Sequence, residues 1–177
     1  RFLSALEISQ QHAHGSRGQC ERCQPLLAEA ARLYQGDFLA GFGLDDCAAF
    51  EEWLVMQRER QRMLAIEACA DLAAHAETRG DLASASSYAQ RQIDLDPLRE
   101  SAYRQLMRAY ARQDNRSAAL EVFERCRAVL NKELGIDPEP DTQSLRAQIV
   151  AGSTAARENA AMRAGADGAA ARSVLPQ

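Results

Sequence analysis

Two histidines and two cysteines fall within twelve residues near the start of the chain, in the pattern His12-x-His14-x5-Cys20-x2-Cys23. Zinc takes four nitrogen or sulfur ligands in a tetrahedron, and a Cys-x2-Cys pair is a natural half-site. On a helix His12 and His14 would point to nearly opposite sides. A shared metal therefore needs an extended or turning chain, which Gly15 and Gly18 permit. His12, His14, Cys20 and Cys23 are thus candidate ligands of one structural zinc ion. Such a site would tie the segment before the loop to the one after it, and binding energy would become folding energy. The plain alternative is a solvated loop with reduced thiols. A redox reading of the Cys-x2-Cys pair lacks the strand-to-helix setting of such motifs.

A second chemical pattern is basic. Arg104, Arg108 and Arg112 recur at i, i+4 and i+8, so they line one face of one helix. Like charges at that spacing cost a few tenths of a kcal/mol per pair, which invites a reason. They are candidate partner-binding residues, an anion-accepting surface for an acidic segment or another domain. The competing reading is a solvated face balanced by Glu100, Glu77 or Glu67.

The remaining reactive side chains point to no catalysis. Cys47, Cys69 and Cys126 lie far apart in helical segments and read as small apolar residues. His75, near the end of a long helix, has no Ser, Cys or Asp placed beside it by motif. A phosphate-cradling glycine loop, a nucleophile elbow and paired carboxylates are all missing from the pattern, so no catalytic residue is assigned and no enzyme is expected. Trp53 beside Phe50 and Leu54 on an apolar stripe reads as core, with a place in an interface as the alternative.

The elements that carry these residues are helical. Ala, Leu, Glu, Gln and Arg dominate, and β-branched residues are few and never alternate. Helices are expected from Arg1 to Gln11, from about Pro25 to Tyr34, and from Cys47 to Thr78 without interruption. Others follow from the Gly80-Asp81 turn to near Asp94, from a cap at Asp96-Pro97 to about Gln113, from Ser117 to Leu134, and from Asp141 to Ala151. The segment Gly36 to Gly43 is a turn-rich connection packed on the core through Phe38, Leu39 and Phe42. Gly135 reads as a left-handed helix cap.

Within this run the chain echoes itself at an offset of 34 residues. Leu72, Ala76, Gly80, Ala85 and Ala89 match Leu106, Tyr110, Asp114, Ala119 and Phe123 in size or turn character, while Ile93 and Arg127 do not match. That period is the mark of tetratricopeptide-type helix-turn-helix repeats, which bury an apolar face only by stacking and offer the remaining surface to partners.

Composition sets the outer bounds. The 177 residues are 46% hydrophobic, enough for a core. An odd five cysteines argues for a reducing, cytoplasmic setting. No stretch approaches the roughly 18 apolar residues of a membrane span, and no signal-peptide pattern opens the chain. A net charge of −4 weighs against direct nucleic-acid contact by this chain. The opening on Arg1 reads as a piece of a longer polypeptide.

Four motifs in order carry a family resemblance. They are Leu33-Tyr34-Gln35-Gly36-Asp37-Phe38-Leu39-Ala40-Gly41-Phe42; Phe50-Glu51-Glu52-Trp53-Leu54 with Arg58-Glu59-Arg60; Asp96-Pro97-Leu98-Arg99-Glu100 with Leu106-Met107-Arg108-Ala109-Tyr110; and Phe123-Glu124-Arg125-Cys126-Arg127 with Glu133-Leu134-Gly135-Ile136-Asp137-Pro138. Over about Ala28 to Val150 the chain resembles the bacterial transcriptional activation domain of regulators of the antibiotic-regulatory-protein type. The resemblance implies an all-α, tetratricopeptide-like domain of about six to seven helices in antiparallel pairs. It also implies partners: a winged helix DNA-binding domain of the same regulator, a second copy in a dimer, and the transcription machinery. This chain shows no winged helix, so DNA binding is not assigned to its residues.

The expected organisation is a first helix and His/Cys loop over residues 1–24, the helical domain over 25–151, and a flexible linker over 152–177, where apolar periodicity disappears. A stand-alone tetratricopeptide scaffold for peptides or proteins is the alternative function. Sequence upstream of Arg1 separates the two.

Overall fold

The structure, a computed structural model, describes residues 1–11, 15–44 and 46–152. Six helices follow one another as α1 (Phe2–Gln10), α2 (Gln24–Leu33), α3 (Ala48–Arg79), α4 (Leu82–Leu95), α5 (Glu100–Arg112) and α6 (Arg116–Leu134). A 3-10 turn at Arg17–Gln19 joins α1 to α2, and residues 140–152 form α7. No strand occurs among the described residues. The fold is all-α and tetratricopeptide-like, built from antiparallel helix pairs.

The 34-residue echo has a direct physical counterpart in two identical turns. Gly80 at φ 76° and Asp114 at φ 59° both end a helix in the left-handed conformation. Asp81 N donates to Ala76 O at 2.9 Å, and Asn115 N donates to Tyr110 O at 2.9 Å. The side chain of Asp81 then accepts from Ser84 N at 3.1 Å, and that of Asn115 from Ala118 N at 3.2 Å. Each turn thus satisfies the last carbonyls of one helix and the first amides of the next.

Small residues bring the helices close. Ala76, Ala85 and Ala109 form one buried cluster where α3, α4 and α5 meet. Ala89, Ala102, Tyr103, Leu106, Ala119 and Phe123 belong to the main core of α4, α5 and α6, closed by Ile149 from α7. A separate cluster of Leu6, Cys23, Leu27, Ala30, Cys69 and Leu72 seats α1 and α2 on α3. Gly18 has to be small: a Cβ there would meet Asp71 O at 3.2 Å. Arg17 holds the same turn down through Asp71 at 2.5 Å.

Several sequence expectations are corrected in detail. Asp96-Pro97 does not cap α5, which begins three residues later at Glu100; Asp96 instead accepts from Leu98 N at 3.1 Å, folding the connection into its own turn. Tyr103 Oη donates to Pro97 O across that turn at 3.0 Å. Trp53 is not core but 43% exposed, covered only in part by the Phe38 and Phe50 rings. Leu39 and Phe42 are exposed too, and only Phe38 of that segment is half-buried. Cys47 is exposed, unlike Cys69 and Cys126. The proposed linker residues from 153 onward lie outside the described residues.

Candidate functional site

Because consecutive hairpins stack, α3 and α5 lie in the same layer, and α5 presents its arginine row toward α3 on one side and the start of α7 on the other. Arg104 Nη1 donates to Glu139 at 2.8 Å and to the Thr142 hydroxyl at 2.9 Å. That hydroxyl donates in turn to Glu100 at 2.7 Å. Glu100 also accepts from Glu139 N at 2.9 Å, so a buried carboxylate caps the entry to α7.

Farther along, Arg108 Nε lies 3.3 Å from Glu77 and Arg112 Nη1 lies 3.8 Å from the same carboxylate. Arg112 also donates to Glu77 O at the end of α3 at 2.8 Å. Of the three acids named as counter-charges, Glu77 meets the stripe, Glu100 is engaged by the α7 entry, and Glu67 pairs with Arg17 at 3.7 Å. Two guanidinium groups share one carboxylate, leaving a net positive charge on side chains 41% and 48% exposed. The arginines thus bridge helices and face solvent at once.

A second face lies on the first half of α3. The loop before it folds back so that Phe38 and Trp53 meet edge-on at 6.1 Å, Phe50 and Trp53 lie 5.6 Å apart, and Phe42 meets Phe50 edge-on at 5.9 Å. Arg58 holds this loop, donating to Phe38 O at 2.9 Å, Leu39 O at 2.7 Å and Phe42 O at 3.3 Å. Glu51 closes the other end by accepting from Leu44 N at 2.6 Å. Trp53, Val55 and Met56 remain exposed on the helix, and Leu39, Phe42 and Leu44 on the loop. Arg58 enters the sequence analysis only as part of the second family motif, and its clamp on the loop carbonyls is not foreseen there. Its signal was a charged residue placed opposite a glycine-rich segment with carbonyls to satisfy.

Of the four candidate zinc ligands, His12 and His14 lie outside the described residues. Cys20 and Cys23 share one turn, with Cys23 N donating to Cys20 O at 3.0 Å. The Cys23 thiol is buried and donates to Ser9 O at 3.4 Å. Burial first, and the neighbouring Cys20 second, push it up to about 11, which keeps it a protonated thiol at neutral pH. No group of three or more His, Cys, Asp or Glu side chains gathers around a metal-sized point among the described residues. Cys69 and Cys126 are also raised by burial, to about 11 and about 12. None of the helices among the described residues is long and apolar enough to cross a membrane.

Comparison with known proteins covers most of this stack. The family model for the bacterial transcriptional activator domain matches residues 2–150. The Streptomyces griseus protein "Regulatory protein AfsR" is 28% identical over 144 residues, 78% of this chain and 14% of that protein. Its namesake in Streptomyces coelicolor is 29% identical over 153 residues, 84% of this chain and 14% of its own length. The Mycobacterium tuberculosis "Transcriptional regulatory protein MoaR1" is 34% identical over 61 residues, 34% of this chain and 20% of that protein. The chain therefore spans about one seventh of the length of the first two relatives, 14% in each case.

Proposed function

The chain belongs to the bacterial transcriptional activator domain family, and from that premise we propose that it is the regulatory and oligomerisation domain of a transcription activator. Its helices hold other domains by protein–protein contact, while a winged helix domain outside this chain binds DNA. The partners in this reading are that DNA-binding domain, a second copy, and the transcription machinery. Work of this kind is thermodynamic: holding two DNA-binding domains at a fixed spacing raises the effective concentration of the second at its site.

The observation that carries the reading is the family match over a stack whose α5 face keeps surplus positive charge at Arg108 and Arg112. That face suits an acidic partner segment, since the charges are already held in place by Glu77 and lose little side-chain entropy on binding. Arg104, anchored to Glu139 and Thr142, sets the edge of the surface.

The test is binding of the regulator's own DNA-binding domain to the 177-residue chain, wild type against Arg108→Glu. Binding should weaken several-fold and become less sensitive to salt, with helicity unchanged. Equal binding by both would leave the arginines with a purely interhelical role.

A further inference from the structure

We propose that the outer face of the first half of α3 is where a second copy of this chain docks, antiparallel, about a two-fold axis at Met56. The inference rests on the self-association in the reading above and assigns it a surface.

The face has exposed apolar residues at its centre with a charge on either side. Its arc runs through Ala49, Glu52, Trp53, Met56 and Arg60, with Met63 continuing the line at the next turn. Met56 is 62% exposed at its centre and Trp53 43% exposed at its edge. Exposed Trp53 and Met56 one turn apart, with Trp53 held against the Phe38 and Phe50 rings, mark an interaction site rather than chance exposure. Methionine and tryptophan are enriched in interface cores, and here the four rings are already fixed by Arg58 and Glu51, so ordering costs little on docking.

Charge selects the occupant. Glu52 lies one turn before Met56 and Arg60 one turn after it, and neither has an ion-pair partner among the described residues. An isologous contact places residue i against residue j and j against i. A two-fold axis through Met56 therefore sets Glu52 of each copy against Arg60 of the other, with Ala49 opposite Met63. The opposite signs sit on opposite sides of the apolar centre, as an antiparallel copy of the same helix requires. A uniformly acidic or basic partner would meet one matching and one repelling charge.

Sedimentation equilibrium of the 177-residue chain reads this directly, with circular dichroism as the check on folding. The chain should dimerise, and Met56→Asp should weaken the dimer at least about thirtyfold, as loss of a central interface anchor does. Glu52→Arg and Arg60→Glu should each weaken it, and the double variant Glu52→Arg/Arg60→Glu should restore it, since the swap preserves the pairing between copies. A dimer insensitive to Met56→Asp would overturn this surface while leaving self-association intact. Failure of the double swap to restore association would overturn the antiparallel register. A monomer at every concentration would overturn the proposal; domain binding through Arg108 is measured separately and would be untouched.

Discussion

Replacing Gly80 tests the repeat at its most exacting point. Gly80 sits at φ 76°, and a Cβ built there meets no atom within 4 Å. The cost of a side chain is therefore purely that of the left-handed backbone, about 1–2 kcal/mol for alanine, offset by the few tenths to 1 kcal/mol that a non-glycine residue removes from unfolded-state entropy. Gly80→Ala should destabilise by about 1 kcal/mol, or about 2–4 °C in a protein of this size. Gly80→Asp imports the residue that the second repeat uses at Asp114, where φ is 59°. Aspartate tolerates this conformation better, so its cost should stay below about half that of alanine. This order reverses intrinsic helix propensity, in which alanine leads and aspartate trails. The reciprocal change, Asp114→Gly, trades relieved strain against added unfolded entropy and should fall within about 0.5 kcal/mol of wild type. Urea unfolding followed by circular dichroism gives all three values. Alanine tolerated as well as aspartate at position 80, or a large loss from Asp114→Gly, would refute the equivalence of the two turns.

Other outcomes follow from the same geometry. Arg58→Ala removes three charge-assisted contacts to loop carbonyls and should cost about 1–3 kcal/mol, with a red-shifted Trp53 emission as the loop releases the indole; an unchanged spectrum would contradict the clamp. The thiols of Cys23, Cys69 and Cys126 are raised from 9.0 to about 11, about 11 and about 12 when folded. A raised folded value means that the stabilisation is complete below the unfolded value and is lost as pH climbs through the folded one. Stability should therefore fall from about pH 9 upward, and thiol reagents at pH 8 should label the exposed Cys47 while sparing these three; a flat urea midpoint across that range would count against buried protonated thiols. Zinc analysis of purified protein tests the four candidate ligands: a full equivalent would bring His12 and His14 to the two sulfurs, whereas less than about a tenth of an equivalent would leave a loop with reduced thiols.

The helical register from α3 onward was legible where a helix end carries its own chemistry: Gly80 with Asp81, Asp114 with Asn115, and Gly135 each supply a stop or a start. Asp96-Pro97 misled because an aspartate before a proline caps a turn as readily as a helix, and only the contact of Tyr103 with Pro97 O shows which. Trp53 misled for a different reason. Periodicity places it beside Phe50 and Leu54 but cannot say how many elements pack around each half of a 32-residue helix. Leu54 is fully buried, while Trp53, one residue away, faces out. For the arginine stripe, the face was visible in the spacing. That Glu77 would serve both Arg108 and Arg112, and that Glu100 would instead hold the start of α7, depends on contacts between residues more than thirty positions apart.

The central claim, that this stack regulates while another domain binds DNA, is tested most directly by transcription in vitro from a target promoter, with the full-length regulator compared against one lacking residues 25–151. The account predicts that the shortened protein still contacts its promoter, more weakly, and no longer activates. Full activation without these residues would contradict it.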